Sequence, residues 1–436
     1  MGGKILQIRN LRWIILGLLF LETILNYIDA QTLAVVGPKL TKDLHLNPSL
    51  ASVWNAFQIA YLITFLFGGA VIDRIGIRRS MVIAICWWSA AELLHAFARN
   101  EMDLMVCRFL FGFGYPGAYL VAAKVVAEWY PPKERALGTG AYTAGATIGA
   151  TLAYPLVTYL MLKVNWRFPF MVMGLLGFGY VALWLLIYRS PSQHKWITKE
   201  EKDYITEGLA VADARDTSSK PSSQAGVMDI IKDLRFWGVA LGRMIGDNGW
   251  LFYVVWMPTF FTHLGWSAAK IGKVGWIPFL FADIGSLGGG WLSGLLVKRG
   301  IPALKARLIL MSIAAGILAF QFAIGMLTGT VAVIAVISLL ILSTTIWLVN
   351  VGTVPVDAFP QKLVGRAVGL CSTGAIIGNI LFIRYAGNLI NSGDYTKLFI
   401  IISVLSPIAC MIAFKLVNSP SKSLSAQAPA AAVVEE

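Results

Sequence analysis

The stretch that decides the fold is GGAVIDRIGIRR, Gly68–Arg79, a short charged connection between two long apolar runs. An aspartate and three arginines stand close together in it, whereas the flanking runs are nearly free of charge. A related stretch, GGGWLSGLLVKRG, recurs at Gly288–Gly300, where Gly290 aligns with Gly69 and a glycine replaces the aspartate. One loop pattern found twice indicates an internal duplication.

A second pair of stretches supports the duplication. EWYPPKERALG covers Glu128–Gly138, and DAFPQKLVGRAVG covers Asp357–Gly369. Both begin with an acid that is followed by a proline, an arginine and a glycine in the same order. The chain therefore consists of two related halves.

Composition places both halves in a membrane. The chain has 436 residues, of which 57% are apolar and 14% charged, against roughly 25% charged in an ordinary soluble domain. Apolar runs of about 20 residues, the length that a helix needs to cross the hydrocarbon core, recur throughout. We count twelve such runs, which predicts an all-α membrane protein with two pseudo-symmetric six-helix halves.

The first run contains Glu22 and Asp29 and is too long for a signal-peptide core, so we expect this first helix to be retained in the protein.

The longest polar segment divides the runs six and six. We predict an N-terminal half over 1–189, a linker over 190–235 that begins with a short amphipathic helix, a C-terminal half over 236–417 and a disordered tail over 418–436. Most of the 36 lysines and arginines behind the net charge of +13 lie in segments that face the cytoplasm if the N-terminus does, which is the positive-inside pattern. Both termini and the linker are therefore expected in the cytoplasm.

Other classes of function find little support in the sequence. The four cysteines lie in apolar runs without paired or metal-ligand spacing, so we expect free thiols and no metal site. With four histidines and no recognisable catalytic order, we expect neither an enzyme nor a cofactor. No basic-aromatic platform indicates a nucleic-acid partner.

One motif suggests a nucleotide site and must be weighed. Gly112, Gly114 and Gly117 form a literal GxGxxG, but they lie in the middle of an apolar run that also holds Pro116. The dinucleotide fingerprint requires a preceding strand and a following helix. We therefore interpret the glycines as sites of close helix packing.

Ionisable residues within membrane spans are costly, so each is a functional candidate. Asp29 in the first span is expected to carry a proton, and Arg108 and Lys124 in the fourth to attract an anionic substrate. The alternatives are a permanent ion pair for Asp29 and an ordinary i,i+4 pair between Lys124 and Glu128.

The seventh span holds Arg243 and Asp247, four residues apart, followed by Asn248 and Trp250. Trp250 offers a face for a sugar ring, or else simply packs. Further buried candidates are Asp283 and Arg384, as partners of each other or of Arg243. Glu92 and His95 of the third span are expected to satisfy one another or a neighbour.

On these loop stretches the chain resembles the major facilitator superfamily. The resemblance covers essentially the whole chain and implies a transporter that works by alternating access. It implies a gating role for charge pairs between the halves, the alternative being charge that only sets topology. The gating candidates are Gly69, Asp73, Arg74, Gly76, Arg78, Glu128, Arg135, Asp357 and Arg366.

Within that superfamily the stretches KVVAEWYPPKER and WIPFLFADIGSLGGGWL are most similar to the anion:cation symporter group and its bacterial hexuronate transporters. This resemblance implies import of a sugar acid such as galacturonate or glucuronate by proton symport. The substrate-binding candidates are Tyr27, Tyr61, Arg108, Tyr115, Lys124, Tyr142, Thr143, Arg243, Asn248, Trp250, Ser372, Thr373 and Arg384, and the proton-coupling candidates are Asp29 and Asp247.

The chain departs from the group at two positions. Ala30 stands where many members have an arginine after the first-span aspartate, and Tyr115 stands where many have a glutamate. Asp29 therefore becomes the leading proton carrier.

The alternatives to import of a hexuronate are uptake of another organic anion (an aldonate, glucarate or an aromatic acid), export and substrate sensing. We expect a monomer in the bacterial inner membrane, with a small anion, protons and the lipid bilayer as its partners.

Overall fold

The hydrocarbon layer offers no partners for backbone polar groups, so a chain of this composition must bond them internally, and it does so by forming helices. The computed structural model describes residues 7–207, 227–327, 329–359 and 361–419. Within these ranges the β-structure is limited to an isolated bridge between Ile8 and Ile197. The expected all-α architecture is confirmed.

Six long helices precede the linker. They are α1 (Leu11–Asp43), α2 (Ala51–Ile75), α3 (Ile77–His95), α4 (Glu101–Trp129), α5 (Pro132–Lys163) and α6 (Phe168–Ile187). Residues 199–207 of the linker are also helical, as the sequence predicts.

The part after the linker contains shorter pieces as well as long helices. They are α7 (Val227–Lys232), α8 (Leu234–Gly246), α9 (Asn248–His263), α10 (Ala268–Val274), α11 (Ile277–Lys298), α12 (Ala303–Leu318), a 3₁₀ helix (Gln321–Met326), α13 (Thr330–Ala358), α14 (Gln361–Asn391) and α15 (Tyr395–Val417).

Ten helical segments of the described chain are long and apolar enough to cross a membrane. The two other predicted spans are α3 and the seventh apolar run. Helix α3 has 19 residues and includes Glu92 and His95. The seventh run is divided at Asp247 into α8 and α9, of 13 and 16 residues.

The helices group into two compact units. The first unit comprises Met1–Pro221, Tyr253–Asp283 and Ile383–Asp394, and the second comprises Ser222–Phe252, Ile284–Phe382 and Tyr395–Glu436. The units thus differ from the six-plus-six division, because parts of α9, α10, α11 and α14 pack with first-half helices. The predicted boundaries at the linker stay a prediction, and linker residues 208–226 and tail residues 420–436 lie outside the described residues.

Close helix packing in the first unit depends on the glycines of the GxGxxG motif. A Cβ atom on Gly112 would lie 2.6 Å from the Phe57 carbonyl oxygen of α2, and one on Gly114 would lie 2.8 Å from the Trp88 nitrogen of α3. The motif therefore lets α4 lie against two helices at once, and its interpretation as a packing feature is confirmed.

Contacts around Ser49 join the loop before α2 to later helices of the first unit. The Trp256 Nε1–H of α9 donates to the Ser49 carbonyl oxygen at 2.7 Å, and the Ser49 N–H donates to Asn391 Oδ1 of α14 at 3.1 Å. Nearby, Gly272 of α10 lies against Thr158 of α5. These contacts explain why segments from the second sequence half belong to the first unit.

The linker is fastened to the start of α1. Glu201 accepts hydrogen bonds from the backbone N–H groups of Leu11 and Arg12, at 2.9 and 3.1 Å. His194 donates from Nε2 to the Ile187 carbonyl oxygen at 2.8 Å and accepts at Nδ1 from the Trp196 N–H. Burial lowers the pKa of His194, and the neutral ring satisfies both bonds.

The second unit is packed in the same way. A Cβ atom on Gly378 of α14 would lie 2.0 Å from the Met244 carbonyl oxygen of α8, and one on Gly374 would lie 2.4 Å from that of Ala240. Helices α8 and α14 therefore approach each other at backbone distance, next to the break at Asp247.

We predict that Gly112→Ala destabilises the protein by about 1–3 kcal/mol, because overpacking forces the backbone of α2 or α4 to shift. Thermal unfolding of the detergent-purified protein measures the effect as a lower midpoint. Gly17→Ala is the matched control, since a Cβ atom there has nothing within 4 Å. Equal midpoints for the two variants would contradict this account of the motif.

Candidate functional site

The first unit holds a charged cluster in its interior. Asp29 of α1 is 1% exposed and Arg108 of α4 is 0% exposed. The Trp88 Nε1–H of α3 donates to Asp29 Oδ2 at 3.1 Å, and Arg108 donates from Nη2 to the Ala30 carbonyl oxygen at 3.5 Å. Three helices therefore converge on the Asp29 carboxylate.

Aromatic rings enclose the Arg108 guanidinium. Its central carbon lies 4.9 Å from the ring centre of Phe111 and 5.1 Å from that of Trp54. Rings at this distance stabilise a cation that has lost its water. Arg108 forms no ion pair within 4 Å among the described residues, and in this arrangement it is shielded rather than presented to a solute.

The predicted cavity tyrosines of the first unit are brought together. The ring centre of Tyr115 lies 6.2 Å from that of Tyr27 and 6.1 Å from that of Tyr61. Tyr142 is buried and lies 5.8 Å from Tyr119, outside this group. These tyrosines provide flat faces with hydroxyl groups, which suit a sugar ring.

The fifth-helix candidate Thr143 is half-buried, and its hydroxyl donates to the Thr139 carbonyl oxygen at 2.8 Å. The hydroxyl hydrogen bond of Thr143 is thus made within α5.

The second unit holds a smaller ionic cluster. Arg243 of α8 donates from Nε to Asp247 Oδ2 at 2.9 Å and from Nη1 to Ser372 Oγ of α14 at 2.9 Å. The Trp347 Nε1–H of α13 donates to Asp247 Oδ1 at 3.2 Å. The Arg243 side chain keeps 21% of its surface exposed, whereas that of Asp247 keeps 6%. Arg243 is therefore a cation that Asp247 and Ser372 hold in place and that remains partly accessible.

The remaining second-unit candidates lie around the same break. Asn248 donates to the carbonyl oxygens of Met244 and Ile245, which α8 leaves unbonded where it ends. The Asn248 Oδ1 atom is buried without a hydrogen bond. Trp250 is half-buried, and Thr373 bonds within its own helix.

Two further candidates lie apart from these clusters. Arg384 is exposed, and Asp283 is half-buried with Thr147 of α5 as its hydrogen-bonding neighbour. Neither forms an ion pair within the part of the chain that the structure describes. Arg243, for which both were considered as partners, pairs with Asp247.

The charged loop after α2 pairs with α4. Lys124 forms an ion pair with Asp73, whereas Glu128 accepts from the Tyr188 hydroxyl at 2.7 Å. The i,i+4 alternative for Lys124 is therefore not realised. Both Lys124 and Asp73 belong to the first sequence half, so this pair is not one of those expected between the halves.

The other first-half gating candidates surround this loop. Gly76 adopts a φ of +87°, which a glycine accepts readily and which lets α3 begin directly after α2. Arg78 donates to the Leu185 carbonyl oxygen of α6 at 2.5 Å. Gly76, Arg78 and Glu128 line one cavity of 910 Å³. Gly69 has nothing within 4 Å of a Cβ position, and Arg74 is exposed.

A corresponding pair exists in the second unit. Arg307 of α12 donates to Asp357 Oδ2 at 3.0 Å and also contacts Ser293. Arg366 is exposed. The side chain of Arg135 lies outside the described residues.

Sequence reasoning missed the indole donors Trp88 and Trp347, and it missed Arg307. The signal for the tryptophans was their place in apolar runs next to polar residues. Within the described ranges, no group of three histidine, cysteine or acidic residues forms a metal site.

Long apolar helices, a duplicated loop and buried charge clusters in each unit together define a polytopic membrane transporter. The chain matches the Major Facilitator Superfamily over residues 19–354, and it belongs to that family.

Relatives of known function narrow the class. The chain is 27% identical to a hexuronate transporter of Escherichia coli K12 over 95% of this chain and 96% of that one. It is 28% identical to a galacturonate transporter of Dickeya chrysanthemi, over 76% and 95% of the two chains. It is 30% identical to a D-galactonate transporter of Escherichia coli O6:H1, over 68% and 70%. The chain is thus a transporter of the superfamily and a multi-pass inner-membrane protein, and these relatives transport sugar acids.

Solved structures show the same fold. A bacterial homologue of the human lysosomal transporter Spinster aligns with a TM-score of 0.76 at 17% identity, over 95% of this chain and 98% of that one. The xylose transporter XylE of E. coli aligns with a TM-score of 0.70 at 15% identity, over 95% and 98%.

We predict that reversing one charge of the Asp73–Lys124 pair slows uptake and that exchanging both charges restores part of it. The pair is partly exposed and contributes up to about 1 kcal/mol, which corresponds to about fivefold in rate. Uptake into proteoliposomes by Asp73→Lys, Lys124→Asp and the double variant measures the coupling. A double variant slower than both single variants would contradict the pairing. Asp43→Asn is the control, because it removes one charge of a separate exposed ion pair, Lys39–Asp43.

Proposed function

We propose that the chain imports a hexuronate, such as galacturonate or glucuronate, by proton symport. The observation that carries this proposal is the Asp29 carboxylate, which is 1% exposed and has one oxygen, Oδ1, without a hydrogen bond. A carboxylate held in this way gains by taking up a proton. The sugar-acid relatives support the class of substrate.

Arg243 is the cation that we assign to the substrate carboxylate. It has an exposed face and is held in place by Asp247 and Ser372, so little further ordering is needed when an anion binds. Arg108 is fully buried and Lys124 is paired with Asp73, which makes both less suited to first contact. Tyr27, Tyr61 and Tyr115, which come together within the first unit, stay candidates for rings that contact a sugar.

The remaining substrate candidates, Tyr142, Thr143, Asn248, Trp250, Thr373 and Arg384, stay predictions. Asp247 stays a candidate for a second proton-coupling residue, because it is buried beside Arg243. The expected cytoplasmic termini, inward direction of transport and monomeric state belong to this proposal as well.

An aldonate is the second candidate substrate. The relative that is 30% identical is a D-galactonate transporter, and an aldonate presents the same carboxylate and hydroxyl groups as a hexuronate. Competition between the two acids in one uptake assay separates these candidates.

We predict that proteoliposomes containing the chain accumulate labelled galacturonate when an inward proton gradient is imposed. Unlabelled glucuronate should compete and galactose should not, because a neutral sugar lacks the charge that Arg243 balances. Asp29→Asn should accumulate less while keeping gradient-independent exchange, since the amide cannot bind the proton.

Asp43→Asn is the matched control, because Asp43 is exposed and paired with Lys39. Undiminished gradient-driven accumulation by Asp29→Asn would exclude Asp29 as a proton carrier, and competition by galactose alone would exclude the anionic substrate.

A further inference from the structure

Helix α3 presents two unused titratable side chains to the Asp29 cluster. Trp88, Glu92 and His95 follow one another at spacings of four and three residues, so they share one face of the helix. Trp88 bonds Asp29, and both Glu92 and His95 are 0% exposed. The face that orients the Asp29 carboxylate therefore carries a second carboxyl group.

Of the two alternatives expected for Glu92 and His95, a bond to each other is not formed, and His95 alone bonds a neighbour. The distance between His95 Nδ1 and Glu92 Oε2 is 3.9 Å, which exceeds a hydrogen bond. His95 Nδ1 bonds the Ala91 carbonyl oxygen at 2.8 Å. Both Glu92 oxygens and His95 Nε2 are buried without a hydrogen bond.

Within the part of the chain that the structure describes, Arg108 is the permanent cation in the surroundings of Glu92. Asp29 faces it from α1, Arg108 and Cys107 from α4, and His95 from its own helix. The His95 ring, three residues on from Glu92, lies 6.3 Å from the ring of Phe111, and the Phe111 ring lies 4.9 Å from the central carbon of the Arg108 guanidinium. The nearby elements α2 and α6 contribute the aromatic rings of Trp54, beside Arg108, and Phe170, which stacks on His95.

Charge balance limits how many protons this cluster can lose. Arg108 neutralises one ionised carboxylate, and a second one would leave an uncompensated negative charge away from water. Such a charge is strongly unfavourable in a protein interior. One of the two carboxyl groups must therefore keep its proton while the cluster is sealed, and Glu92, which lacks any hydrogen-bond donor, is the group less able to ionise.

We propose that Asp29 and Glu92 form one shared proton site around Arg108, in which Glu92 holds the proton while Asp29 is ionised. This inference rests on the proposed symport. A second proton, taken from water on one side, protonates Asp29 when the substrate anion binds, and it returns to water on the other side when the anion leaves. Protonation of Asp29 leaves the positive charge of Arg108 to be balanced by the bound substrate anion, so the net charge of the cluster plus substrate stays at zero throughout.

Proton-driven uptake by Asp29→Asn, Glu92→Gln and the double variant tests the shared site. In Asp29→Asn the Glu92 carboxyl group is left to balance Arg108 and to exchange the proton, so we expect reduced but gradient-dependent accumulation. Glu92→Gln keeps Asp29 and should stay close to the parent, whereas the double variant should keep exchange and lose all response to the gradient. If Asp29→Asn loses as much gradient-driven accumulation as the double variant, Glu92 holds no exchangeable proton and the proposal is overturned.

A spectroscopic measurement tests the proton on Glu92 without transport. The infrared difference spectrum between the purified parent and Glu92→Gln at pH 7 should show the loss of one protonated-carboxyl C=O band, and Asp43→Asn should show none. A spectrum without that loss overturns the proposal, even if uptake is proton-driven. Failure of proton-driven uptake in the parent, with the band present, would instead disprove the proposed symport.

Glu92→Gln places an amide where it has no hydrogen-bond partner, and this variant could fail to fold for that reason. Glu92→Met therefore provides a second test that does not depend on the folding of Glu92→Gln. Replacing an unsatisfied buried group by an apolar one of similar size is expected to keep stability. Its infrared spectrum should lack the same band, and retention of the band in Glu92→Met contradicts the assignment.

Discussion

A charge that is held out of water must have an equal and opposite charge within reach, and this constraint governs the arrangement around Arg108. The side chain is fully buried on α4 between aromatic rings. Its permanent charge needs one negative charge nearby, which our proposal takes from Asp29 on α1 when no substrate is bound, while Glu92 on α3 keeps its proton. The close helix packing that Gly112 and Gly114 permit brings α4 against α2 and α3.

The second unit repeats the chemistry with one difference. Asp29 accepts a tryptophan indole N–H in the first unit, and Asp247 accepts one from Trp347 in the second. In the second unit the arginine and the aspartate are directly paired, and Arg243 remains partly exposed. This difference is the reason that our proposal assigns the proton site to the neighbourhood of Arg108 and the substrate carboxylate to Arg243.

Much of the fold could be predicted because it depends on local sequence features. Apolar runs and the recurring loop at Gly68–Arg79 were sufficient for the all-α, duplicated architecture, and the position of GxGxxG within a span was sufficient to reject a nucleotide site. The composition of the two units was not predictable. It depends on contacts between distant segments, such as that of Ser49 with Trp256, which leave no mark in local sequence patterns.

The sequence allowed candidate site residues to be named, but it did not allow their contacts to be predicted. Lys124 has an acid four residues away, yet it pairs with Asp73, which is distant along the chain. Glu92 was assigned a satisfied structural role, because the rotation of α3 about its axis, which turns its polar face toward Asp29 and Arg108, is set by tertiary packing.

The central claim is that every proton that enters with the substrate balances one negative charge. Uptake of a monovalent hexuronate in proteoliposomes, driven by a potassium diffusion potential, inside negative, at equal pH on both sides, tests it most directly. The account predicts electroneutral transport, so that the potential alone drives no accumulation while a pH gradient at zero potential does. Accumulation driven by the potential alone would show that more than one proton accompanies each anion and would contradict the charge balance at Arg108.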